Sequence, residues 1–336
     1  EDDTYTVEYN TSGETVNIVY VDATKGWIPL DDDAVADAPV APPTQKGIFA
    51  YGNTNDGGGP HAMSNLVSSS GVIATDTTGV GTTREALSAA SYGGDKAIFG
   101  YGISGSGNTA VTNLVNNSGV VAADVTGVGT ARSYLAATGY GADKAIFAYG
   151  EGGGGLTGVS NLISNTGVAA TDVAGVGTTR RSLEGARYGD GLGIFAYGFT
   201  TGVVNMSNKV SYTGVIATDT TGVGTARYYM AATAYGGDKA IFGFGLYTGT
   251  YTAITNLVSN TGVVSADVTG VGTARRFPAA CTYGGDKAIF AYGRNSSGTE
   301  VSMSNLVNSS GVVATDVTGV GTARSSLSAA GYSASA

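Results

Sequence analysis

Residues 133–180 read SYLAATGYGADKAIFAYGEGGGGLTGVSNLISNTGVAATDVAGVGTTR. Four short β-prone runs stand out: SYLAATGY at 133–140, KAIFAY at 144–149, VSNLI around 159–163 and VAATDV at 168–173. Gly141-Ala142-Asp143 separates the first two, a variable Gly-rich loop the next two, and Asn165-Thr166-Gly167 the last two. Turn residues between short β-prone runs predict consecutive hairpins. No stretch carries a helical period over three turns.

The same text recurs along the chain. Ile-Phe-(Ala/Gly)-(Tyr/Phe)-Gly begins at residues 48, 98, 146, 194, 241 and 289, and a block of the type GVVATDVTGVGTAR ends at Arg84, Arg132, Arg180, Arg227, Arg275 and Arg324. Six copies of a four-stranded meander at a period of about 48 residues predict an all-β, six-bladed β-propeller. A β-solenoid is the alternative, though its rungs are usually shorter. The first run of each copy is rich in Ala, Ser and Gly, as suits strands crowded around an axis. Ile and Phe of the second run would fill the space between blades. The first copy starts at its second strand (Lys46-Gly47-Ile48-Phe49), and the last runs on into SSLSAAGY at 325–332. The C-terminal strand is therefore expected to complete the first blade and leave no open edge.

Residues 1–45 hold ten acids and one base, which accounts for the whole net charge of −9; the remainder holds 16 of each sign. A neutral repeat domain offers no field to attract nucleic acid. Residues 1–30 read as a β-hairpin segment, from the alternation of Tyr5, Val7, Tyr9 and then Val16, Ile18, Tyr20, with Trp27 following. Residues 31–45 read as an acidic Pro/Ala-rich linker and 46–336 as the propeller. The leading segment is either a small appended sheet or an element attaching the propeller to a larger assembly. No run is apolar and long enough for membrane insertion.

Loops 2–3 and 4–1 of an up-and-down blade share a face. The 2–3 loops differ in every copy, and so do the two residues after each repeated Arg. This face is expected to gather Tyr134, Phe199, Tyr228, Tyr229, Tyr247, Tyr251 and Phe277 with Arg181, Arg276, Arg294 and His61. Aromatics among polar neighbours suit a sugar ring or a protein partner; the alternative is drift in loops without a task. The six repeated Arg residues and the Asp residues of the fourth run (Asp76, Asp124, Asp172, Asp219, Asp267, Asp316) read as a structural contact made once per blade. The competing reading is an Arg ring at the channel mouth that binds an anion.

Catalytic chemistry finds little support. His61 is the sole His and Cys281 the sole Cys, so no His or Cys metal cluster and no repeated triad can form. No P-loop, dinucleotide fingerprint or sialidase-type Asp box is present. The Asn-Asp-Gly stretch at 54–58 lacks the ligand count of a calcium loop. Glu85, Glu151, Glu184 and Glu300 lie on or near the variable face, which leaves a paired-carboxylate glycan hydrolase as an alternative. No cofactor and no metal are expected.

The order Arg, inner strand, Gly turn, apolar strand closing on an aromatic and Gly, loop, strand, turn, strand resembles the kelch repeat over residues 46–336. It departs from kelch in carrying one Gly (Gly52, Gly102, Gly150) where the double Gly stands, and Val or Ala in place of the fourth-strand Trp. The near-identical copies, the GVGTAR punctuation and TKGWIPLDDDAVADAPV resemble tail-fibre or related virion proteins of tailed, particularly marine, phages. That resemblance implies a non-enzymatic virion-associated appendage, in a virion or extracellular setting. It would be anchored through residues 1–45 and present its variable face to a host surface glycan or another virion protein. A secreted microbial lectin is the other non-enzymatic reading.

Overall fold

The computed structural model describes residues 16–22, 26–32 and 44–335. They are all-β, with no helix among them. Two compact units divide the chain at residues 39 and 40. In the smaller unit, Val16–Asp22 pairs antiparallel with Gly26–Asp32, with Tyr20 and Trp27 as partners in the backbone register. This pairing of 16–22 with the segment after it was not foreseen, and Asp31 and Asp32, read as the start of the linker, end its second strand. The proposed strand at 5–9 and residues 33–43 of the linker lie outside the described residues.

In the larger unit, six antiparallel sheets share one plan. In one, Ala136–Tyr140 pairs with Lys144–Ala148, which pairs with Ser160–Ile163. The others begin with Ser88–Tyr92, Glu184–Tyr188, Ala231–Tyr235, Ala279–Tyr283 and Ser328–Tyr332. The last strand pairs with Lys46–Ala50, so residues from opposite ends of the chain form one sheet. First strands of successive sheets lie side by side, and Ser328–Tyr332 lies beside both Ala279–Tyr283 and Ser88–Tyr92.

The predicted fourth strand is only partly formed. Ser160 bridges Val173 and Ile163 bridges Ala169, without a continuous ladder between them. The buried Asn161 side chain takes up the gap: its amide donates to the Ala170 carbonyl and to Asp172 Oδ1, at 3.0 and 2.9 Å. A side-chain amide thus satisfies backbone that a ladder would have paired. The same Asn recurs as Asn65, Asn113, Asn208, Asn256 and Asn305, all fully buried.

The core is divided among the sheet interfaces. Ile98 and Tyr101 of one sheet pack with Leu135, Phe147 and Ile163 of the next. Phe49 and Val67 of the first pack with Cys281, Ile289 and Tyr292 of the last. Each large side chain so buried contributes roughly 1.5–3 kcal/mol. Every sheet interface also holds an Arg. Arg132 lies 4.3 Å over the Tyr101 ring, and its Nε donates to the Tyr149 carbonyl at 2.9 Å. Arg324 does the same across the chain ends, over Tyr292 and onto the Tyr51 carbonyl.

These stacked aromatics adopt left-handed backbone: Tyr51, Tyr101, Tyr149, Tyr197, Phe244 and Tyr292 have φ between 63° and 66°. The Gly after each comes within van der Waals contact of the backbone that leads into the first strand of its own sheet. A Cβ on Gly102 would sit 2.6 Å from the Glu85 carbonyl oxygen, which explains why the motif always closes on Gly.

The short turns link into a second circuit. Gly93 N–H donates to the Asp143 carbonyl, Gly141 to Gly191, Gly189 to Asp238 and Gly236 to Asp286, at 2.7–2.8 Å. The first sheet has no hairpin turn there, because its strands come from opposite chain ends. Gln45 and Ser333 stand in for it: Gly284 N–H donates to the Gln45 carbonyl and Ser333 N–H to that of Asp95.

Candidate functional site

The variable loops meet by backbone pairing. Glu85 bridges Ile103, Ser133 pairs with Glu151, Arg181 bridges Phe199, Tyr228 bridges Leu246, and Arg276 pairs with Arg294. Each pair joins the residue after a repeated Arg to a 2–3 loop, so both variable sets do lie together. Three loops carry short hairpins of their own, Ile103–Ser104 with Gly107–Asn108, Glu151–Gly152 with Gly155–Leu156 and Leu246–Tyr247 with Thr250–Tyr251.

The second residue after each repeated Arg is the centre of this face. Ala86, Tyr134, Ser182, Tyr229, Phe277 and Ser326 all have φ between 51° and 57°. Left-handed backbone is costly for large side chains. Here it aims their N–H groups around a circuit: Ala86 to Ser326, Tyr134 to Ala86, Ser182 to Tyr134, Tyr229 to Ser182 and Phe277 to Tyr229. Since all six positions share the geometry, the strain belongs to the architecture. The side chains it delivers differ.

Three of those side chains are large rings, and they meet. Tyr229 and Phe277 lie 3.8 Å apart between centroids, and Tyr134 is 5.9 Å from Tyr229. Tyr228 extends the cluster at 4.3 Å from Tyr229, and Phe199 lies 5.2 Å beyond it. Burial drives the Tyr134 hydroxyl up to about 12, with Tyr229 and Glu85 adding to it against the pull of Arg181. Arg181 flanks Tyr134 and Phe199 at 5.8 and 5.7 Å and pairs with Glu151. Arg276 lies 5.5 Å over Tyr251 and 5.2 Å from Phe277, and its Nε–H is buried with no hydrogen-bond partner among the described residues.

Other predicted residues lie at the margin. Arg294 donates to the Gly298 carbonyl at 2.9 Å and sits 3.6 Å from Glu300. Tyr247 is half-buried in its own hairpin, and His61 Nε2 contacts the Thr54 hydroxyl at 2.9 Å. The carboxylates are already engaged: Glu85 accepts from Asn53 at 3.1 Å, and Glu300 accepts from Ser325 at 3.2 Å. Glu184 is separate from them, as the first residue of an inner strand, Glu184–Tyr188. Burial raises its carboxyl to about 8, opposed by the Gly185 N–H. Sequence reasoning placed it with the loops and did not mark Arg187 of the same strand. The signal was available, because no other first strand carries a charge.

The six repeated Arg side chains are fully buried at the sheet interfaces and present no ring to solvent. The Asp residues bind the loop of the preceding copy. Asp172 accepts from Thr130 N–H at 3.0 Å and from its hydroxyl at 2.6 Å, and Asp76 closes the series on Thr322 in the same way. Burial alone would raise these carboxyls, but the hydrogen bonds from Thr and Asn outweigh it and hold them below the usual range. No group of three His, Cys, Asp or Glu side chains is placed to hold a metal among the described residues.

No family model matches the chain, and no curated protein matches it. Among solved structures it is similar to that of YjhT, at 11% identity over 82% of this chain and 98% of that one, with a TM-score of 0.58. At that identity the likeness speaks for the fold alone.

Proposed function

We propose that the six sheets are blades of a closed six-bladed β-propeller, whose variable-loop face is a non-enzymatic binding surface for a glycan. Support for the fold is the pairing of Ser328–Tyr332 with Lys46–Ala50 and the adjacency of first strands from sheet to sheet. The observation that carries the function is the Tyr134–Tyr229–Phe277 cluster beside Arg276, whose buried Nε–H lacks an acceptor. Aromatic faces stack on sugar rings, and an unmet buried donor favours a ligand that brings an oxygen. The repeat pattern and the leading acidic segment support a virion appendage that recognises a host surface, attached through residues 1–45. A hydrolase is not proposed, since Glu85, Glu151 and Glu300 are each held by a neighbour on the face.

The test is binding of residues 46–336 to a glycan and bacterial-envelope array, beside a Tyr228→Ala/Tyr229→Ala/Phe277→Ala variant. Saturable glycan binding weakened at least tenfold in the variant is expected. Glycan binding unchanged in a folded variant would remove the face from consideration. Loss of polysaccharide chain length on incubation would restore the enzyme reading.

A further inference from the structure

The six first strands read LSAASY, LAATGY, LEGARY, MAATAY, PAACTY and LSAAGY, and only the third carries charge, at Glu184 and Arg187. Between these strands lies a cavity of about 230 Å³. Away from the short turns it is walled mainly by small residues, among them Ala89, Ala137, Gly185, Ala232, Ala280 and Ala329 of the six sheets. Gly94, Gly189, Gly237 and Gly285 of the short turns also line it, so it opens on the face opposite the variable loops.

Arg187 lines this cavity. Its Nη2 donates to the Gly141 carbonyl at 3.0 Å and its Nη1 to that of Ala142 at 3.4 Å. A guanidinium has five N–H donors, so Nε–H and one hydrogen on each terminal nitrogen remain. No carboxylate lies within ion-pair distance of it among the described residues. Burial lowers its pKa, and Tyr212, Asp190 and Asp143 only partly offset this. Four of the lining hydroxyls are engaged elsewhere: Ser91 donates to the Gly331 carbonyl, Thr138 to that of Gly139, and Thr44 and Thr282 bond each other. Asp143 and Lys144 of one short turn also line the cavity, which thus sets the planar Arg187 guanidinium beside walls that are mainly alanine.

We propose that this channel binds one small aliphatic carboxylate, with its two oxygens on the Arg187 guanidinium and its alkyl stem along the alanine-lined tube. The planar fork of Arg matches a carboxylate. The alanine walls favour an apolar stem, and the volume restricts its length. This site is independent of the variable face and does not rest on the glycan reading.

Isothermal titration of the full chain with sodium butyrate, against sodium chloride at equal ionic strength, tests it. Saturable one-to-one binding is expected with butyrate. Arg187→Gln should weaken it at least tenfold, and so should Ala232→Leu, which keeps the cation and narrows the tube. The Tyr228→Ala/Tyr229→Ala/Phe277→Ala variant should bind butyrate within about twofold of the parent, which separates this site from the face. If Arg187→Gln does not fold, Arg187→Lys decides, because it keeps the charge and loses the fork. No saturable butyrate binding to the parent chain, or undiminished binding in the folded Arg187 variant, would overturn the proposal.

Discussion

Arg180 and Arg181 are joined by one peptide bond and belong to different regions. Arg180 is fully buried at a sheet interface, 4.4 Å over the Tyr149 ring, with its guanidinium on the Tyr197 carbonyl and Asn208. Arg181 is half-buried on the loop face and pairs with Glu151. The first recurs in all six copies, whereas the position of the second is filled by Glu85, Ser133, Tyr228, Arg276 and Ser325 in the other copies. The contrast teaches that the interfaces are built from one contact set used six times, while the face is built from what the repeat leaves unspecified. Identity among copies marks what holds the molecule together, and difference marks what it can recognise.

The comparison breaks most severely if the interfaces do not carry the stability. Removing residues 325–336 deletes the first strand of the first sheet, with Leu327 and Tyr332 each worth roughly 1.5–3 kcal/mol of burial. Thermal unfolding should show a large fall in Tm or loss of the cooperative transition; an unchanged Tm would refute the closed arrangement. A single interface Arg comes next. Arg180→Ala should cost roughly 3–5 kcal/mol in urea unfolding, because it leaves buried acceptors unpaired. Arg181→Ala, removing a partly exposed ion pair, should cost about 1 kcal/mol or less. Equal effects at the two positions would erase the distinction.

A smaller effect follows from the Asp contacts. Their carboxyls sit below the ordinary range when folded, so their contribution is complete above the unfolded value, about 3.9. It is lost as pH falls through the folded values. Circular dichroism against pH should therefore show an acid transition below about pH 4. Asp172→Asn should lower stability at neutral pH by about 1 kcal/mol. Glu184 has the opposite sign, since its raised carboxyl favours the folded state as pH falls; an acid transition near neutrality would refute the assignment to the Asp contacts.

Much of this was legible in the sequence, for reasons that differ by residue. The repeated Arg and Asp read as structural because six identical contacts need six identical partners. The loop face followed from strand order alone, and so did the pairing of the last strand with the first. That Tyr134, Tyr229 and Phe277 would touch was not legible, because it depends on a left-handed backbone at one position per copy and on the hydrogen-bonded circuit it forms. The fourth run read as a regular strand because TDV and its neighbours have β character. Only the structure shows Asn161 replacing ladder bonds with its amide. Arg187 was overlooked because the first strands read as uniformly small, and a pattern tends to hide its single exception.

The stand-in of Gln45 and Ser333 for a missing turn has a topological consequence. Gln45 N–H donates to the Ser333 carbonyl at 2.7 Å, so the two ends of the repeat domain meet at one seam. Five other turns occupy equivalent places in the circuit. Where the polypeptide is interrupted is then a matter of genetic bookkeeping: circular permutants cut at the turn near Gly94 or Gly237, with 333 joined to 44 by a short linker, would retain the same set of interfaces. The same adjacency means that the chain enters the repeat domain at residue 44 and leaves it at residue 333 through a single seam among the short turns.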